Sequence, residues 1–94
     1  MNSEDLKEEC LKKALKARRL SADPEPSPSE NVRHDQHWQS WNYCARNQEK
    51  VNAALECAEA ALAVPGNQFG TYAIRLKAMI EVYKEFLLLQ DENK

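Results

Sequence analysis

Apolar side chains recur along the middle of the chain at helical spacing. Trp41, Cys44, Gln48, Val51, Leu55, Ala58 and Leu62 alternate in steps of three and four, so all seven lie on one seam of a helix. No proline or glycine interrupts residues 31–64, and the pattern predicts one long helix over 31–64. Pro65, Gly66 and Asn67 then follow as successive helix breakers, and Gly70 and Thr71 offer the start of a second helix over about 71–90. A turn that short makes the two helices antiparallel neighbours.

A weaker pattern precedes the hairpin. Ser3 suits a helix N-cap, with Glu4, Asp5, Glu8 and Glu9 early and Lys12, Lys13, Lys16, Arg18 and Arg19 late, the charge order that the helix dipole favours. Leu6, Cys10, Leu11, Ala14, Leu15, Ala17 and Leu20 make only a modest apolar stripe, so a helix over 1–20 needs something to dock on. Residues 21–30 read Ser-Ala-Asp-Pro-Glu-Pro-Ser-Pro-Ser-Glu, where alternate prolines favour extended backbone. They form a tether that reaches roughly 30 Å when stretched, long enough for the first helix to fold back or to reach another chain.

The two arms of the hairpin are unlike. The first is rich in alanine near the turn (Ala53, Ala54, Ala58, Ala60, Ala61, Ala63), whereas the second carries Tyr72, Ile74, Leu76, Met79, Ile80, Tyr83, Phe86 and Leu87. Small side chains facing large ones permit close packing, and folding about the turn sets Ala58 near Leu76 and Val51 near Tyr83. This register leaves Trp38 and Trp41 beyond the end of the second arm. Each indole hides on the order of 200 Å² when buried, so the first helix, a second copy or a foreign partner is expected to cover them. Phe86-Leu87-Leu88-Leu89 points in four directions in succession, so Leu88 or Leu89 must face away from the first arm. The fold class expected is all-α: a long antiparallel helical hairpin plus a short tethered N-terminal helix, completed as a three-helix or dimeric bundle.

Composition narrows the function. The chain has 94 residues, enough for one small domain, to which a second subunit adds stability. Thirteen basic against 15 acidic side chains give a net charge of −2, which supplies no global field for nucleic acid or acidic membrane. Cys10, Cys44 and Cys57 cannot all pair within one chain, and the start of the sequence lacks an apolar leader, so reduced thiols and a cytoplasmic location are expected. No apolar run approaches the roughly 20 residues that cross a bilayer.

Candidate chemistry is sparse. His34 and His37 have the spacing of two imidazoles on one metal, but Cys44 lies roughly 10 Å further along the same helix, so one helix cannot assemble the site. No metal or other cofactor is expected. Neither Cys44 nor Cys57 sits in a motif that supplies a base, Glu56 and Glu59 fall on the solvated side, and no phosphate loop or nucleophile elbow occurs. An enzyme is not expected.

Trp38, Trp41, Tyr43, Leu88 and Leu89 have the character of partner-binding anchors. The function expected is therefore a non-catalytic protein–protein interaction module, a small adaptor or inhibitor of a larger protein, itself a homodimer. Small helical chains without motifs are often accessory proteins of phages or mobile elements that act on a host enzyme. The alternative is a dimeric nucleic-acid-binding protein that uses Lys12, Lys16 and Arg19 with Arg46 and Lys50.

Overall fold

A computed structural model describes residues 2–23 and 27–92. Among them are four α-helices, α1 (Ser3–Ser21), α2 (Pro28–Arg46), α3 (Val51–Ala63) and α4 (Gly70–Glu92), and no strand. The fold is all-α. Single 3₁₀ turns lie at Gln48–Lys50 and Pro65–Asn67.

Three of the four helix starts have a local cause. Asn2, one residue before the expected cap, accepts a hydrogen bond from the Asp5 amide (2.9 Å) and opens α1. Ser27 accepts one from the Glu30 amide (3.3 Å) with Pro28 in the first turn, so α2 begins inside the segment expected to be a tether. The remaining link is short, and its Pro24, Glu25 and Pro26 lie outside the described residues. Gly70 opens α4 with φ at +81°, a left-handed conformation that costs a side-chain-bearing residue about 1 kcal/mol or more.

The single helix expected over 31–64 is instead two. The polar run Arg46-Asn47-Gln48-Glu49-Lys50 offers no apolar face to hold it straight, and Asn47 leaves helical geometry at φ −133°, ψ 47°. Its side-chain Nδ2 donates to the Tyr43 carbonyl (3.2 Å), satisfying an acceptor at the end of α2. Gln48 is held by the start of α1, donating through Nε2 to the Ser3 carbonyl (3.0 Å) and accepting from Ser3 Oγ (3.2 Å). The bend keeps the apolar seam pointing inward on both sides: Trp41, Cys44, Val51 and Ala58 are buried, and Leu55 and Leu62 half-buried.

α1 packs along α2, α2 against α4, and α4 against α3, so α4 lies between α2 and α3. The molecule is flattened, about 37 × 32 × 18 Å. Leu6, Cys10, Ala14 and Ala17 turn the stripe of α1 onto α2, and Phe86, Val82 and Leu76 fill the centre. Between α2 and α4 the buried Gln36 and Ser40 are tied polar to polar. Arg75 Nη1 donates to Asp35 Oδ2 (2.9 Å) and Gln36 Oε1 (3.2 Å), and Gln36 Nε2 donates to Ser40 Oγ (3.0 Å).

Candidate functional site

The indoles are covered by α1. Trp41 is 4 % exposed, with Lys13 Nζ 5.5 Å from its ring centroid. Trp38 is half-buried beneath Arg18. Of the three covers open to the sequence, the first helix is the one present, and Trp41 belongs to the core in this fold. Leu88 is the terminal leucine that faces solvent, at 64 % exposure, while Leu89 packs against the core. The five expected anchors therefore do not form one surface.

Tyr43 turns the other way, towards α4, where its ring meets that of Tyr83 at 6.0 Å between centroids and 55° between planes. These two tyrosines close one end of a groove of about 300 Å³ between α3 and α4. Ala54, Cys57, Ala58 and Ala61 line it from α3, and Tyr72, Leu76, Met79 and Tyr83 from α4. No charged side chain is among them. The groove exists because alanines face large side chains: the backbones approach, yet the methyls leave the space between tyrosine rings unfilled.

Besides Leu88, large apolar side chains are exposed in two places, along α1 at Leu11 (39 %), Leu15 (48 %) and Leu20 (40 %), and more fully beside this groove. Phe69, in the turn before α4, is 83 % exposed, Tyr72 is 50 % and Val64 is 50 %. α3 is polar only at Asn52, Glu56 and Glu59, yet it buries only Val51 and Ala58. An element this apolar and this uncovered is unusual for a helix that has only water on its outer side. On the opposite face of the α3–α4 pair, Leu62 and Ile80 line a second concavity flanked by Glu59 and Lys84.

The polar alternatives are internally balanced. A cleft of about 290 Å³ where α1, α2 and α4 meet is lined by Lys13, Lys16, Arg33, His34, His37, Trp41 and Glu85, among others. Of its cations, Lys13 pairs with Glu85 (3.3 Å) and Arg33 with Glu81 (3.2 Å), while the rings of His37 and His34 lie within 2.9 Å of Glu81 and 3.3 Å of Glu30. The two imidazoles stand edge to face at 6.2 Å, each on a carboxylate. Among the described residues no cluster of three or more His, Cys, Asp or Glu is placed to hold a metal ion.

The basic residues are not brought together either. Lys12, Lys16 and Arg19 lie in the second half of α1, whereas the Ser3–Gln48 contact sets Arg46 and Lys50 beside its first turn. At 1.5 Å per residue, most of the length of α1, roughly 20 Å, separates the groups. Arg46 also shares its concavity with Glu4 and Glu49.

All three thiols are free, with Cys10 and Cys44 buried and Cys57 exposed on the groove. Burial pushes the Cys10 thiol up from 9.0 to about 11, with the nearby Glu9 adding to the rise. Cys44 is raised further, again mainly by burial, and Tyr83 is raised by burial and by Cys44. These shifts keep the groups neutral, the opposite of what activates a nucleophile.

Sequence reasoning found Tyr43 but not the surface it belongs to. The clue was Phe69, an aromatic residue set in the polar turn Pro65-Gly66-Asn67-Gln68-Phe69-Gly70, where a hydrophobic side chain has no core to enter. No helix among the described residues is long and apolar enough to cross a membrane. Compared with models of protein families, with curated proteins and with solved structures, the chain matches none.

Proposed function

We propose that the protein is a non-catalytic protein–protein interaction module whose working surface is the α3–α4 hairpin. The observation that carries this reading is the uncharged groove between Ala58, Ala61, Tyr72 and Met79, bordered by an almost fully exposed Phe69. Tyrosine, phenylalanine and methionine are enriched at the centres of interfaces, where large side chains lose water at little conformational cost. The paired charges at the α1–α2–α4 junction and the separated basic groups on α1 and α2 speak for a surface recognised by apolar contact over one recognised by phosphate.

In this reading α1, α2 and α4 are the scaffold. Their core, from Leu6 to Phe86, fixes α4, and α4 in turn holds out α3 and the turn that bears Phe69. An adaptor or an inhibitor of a larger protein fits such a division, a rigid body at one end and an apolar hairpin at the other.

The test is a photo-crosslinking amino acid placed at position 72 and, as control, at the exposed Lys12 of α1, in protein made in its own cells. Crosslinks to protein from position 72 and none from position 12 support the reading. Equal yields at both positions, or crosslinks from position 12 alone, would contradict it.

A further inference from the structure

The hairpin carries both a projection and a recess, which raises the question of what fills the recess. In a chain that is 30 % charged, residues 60–74 contain no charged side chain. The groove lining is equally free of charge. Burying either against a charged partner would strand that charge away from water, whereas burying one against the other strands nothing.

Resting on the reading of the hairpin as an interaction surface, we propose that its occupant is a second copy of this chain, with Phe69 of each copy seated in the tyrosine-lined groove of the other. Phe69 stands three residues before Tyr72, which lines the groove, so projection and recess are neighbours at the turn end of the hairpin. That adjacency lets one twofold axis satisfy both contacts at once and closes the assembly at two copies. A projection and a recess on distant faces would instead build an open chain.

Two exposed rings supply more than half of the apolar area that a dimer needs. A standard interface takes about 800 Å² from each partner, of which about 450 Å² is apolar. Phe69 at 83 % exposure and Tyr72 at 50 % already offer roughly 270 Å², taking about 200 Å² per ring. Val64, half-exposed, and the groove's Met79, Cys57 and alanines add to this. Gln68, exposed in the same turn, lies at the rim and contributes polar area.

The test is sedimentation equilibrium on the full chain, the Phe69→Ser variant, the Cys57→Arg variant and an equal mixture of the two. Phe69→Ser removes the projection, and Cys57→Arg fills the recess from an exposed position, so neither touches the core. Far-UV circular dichroism melts check that each variant keeps its fold. The expected result is a wild-type dimer at twice the 10.8 kDa chain mass, with each variant's dimer constant weakened by at least roughly 30-fold, the loss of one buried aromatic anchor per contact. In the mixture, the Phe69 of the Cys57→Arg chain still meets the open recess of the Phe69→Ser chain. Heterodimers should therefore form more tightly than either variant's own dimer.

A wild-type dimer that Phe69→Ser leaves intact, or a mixture no tighter than its parts, overturns the pairing. A wild-type monomer at every concentration overturns it as well. In that case crosslinks from position 72 to a larger protein would leave the interaction reading standing, and their absence would remove both.

Discussion

The guanidinium of Arg18 lies over the indole of Trp38, its central carbon 5.3 Å from the ring centroid, and so fixes the last turns of α1 on the middle of α2. Lys13 repeats the arrangement over Trp41 at 5.5 Å. The two contacts differ in what lies beneath them. Trp41 is enclosed, so Trp41→Ala should cost about 3–5 kcal/mol in urea unfolding, the transfer and cavity cost of a large buried ring. Arg18→Ala removes one exposed cation from a half-buried ring and should cost at most about 1 kcal/mol.

Arg75 and Lys13 both bridge elements, yet their loss should differ. Arg75 satisfies Gln36, which is 6 % exposed and also holds the buried Ser40, so Arg75→Met leaves a buried amide oxygen without its donor. That penalty is about 1–3 kcal/mol. Lys13 and Glu85 meet at the surface, and a double-mutant cycle between them should return less than about 1 kcal/mol and shrink with added salt. Denaturant midpoints at low and high salt check both.

Cys10 and Cys44 set an alkaline limit on stability. Their folded pKa values lie above the ordinary 9.0, mainly because burial disfavours the thiolate, so between about 9 and about 11 the unfolded chain loses protons that the folded chain keeps at Cys10. Stability from these groups is fully present below about pH 9 and declines above it, by at most about 1.4 kcal/mol per pH unit for each thiol. Cys44→Ala should flatten the decline. Urea midpoints followed from about pH 7 to about pH 10.5 test this, and a stability that rises above pH 9 would contradict the assignment.

The seam from Trp41 to Leu62 announced itself by spacing, because each member's burial repeats a periodic requirement. The break at Asn47 did not, since one asparagine in a polar run shifts helix propensity by only tenths of a kcal/mol, and the deciding contact, Ser3 to Gln48, is 45 residues apart. Ser27-Pro28-Ser29-Glu30 carried a complete start signal for α2, hidden among neighbouring prolines that read as a tether. The cover over Trp41 was undecidable from pattern alone, because a weak stripe docks as well on its own chain as on another. The groove was half visible: alanines opposite tyrosines were plain, but whether the rings would close over the methyls depended on how α3 and α4 come together. Phe69 lies in the breaker turn outside either helical pattern, so periodicity does not mark it as a projection.

An α3–α4 hairpin that is covered when the protein is at work would be reported directly by Cys57. It is the exposed thiol of the three, lines the groove, and sits apart from the enclosed Cys10 and Cys44. The measurement is the rate at which a membrane-permeant maleimide alkylates Cys57 in intact producing cells, set against the purified protein at high dilution. Labelling should be at least roughly tenfold slower in cells, because an occupied groove withholds the thiol from the reagent. Equal rates would mean that the groove stands open to water and that the interaction surface lies elsewhere.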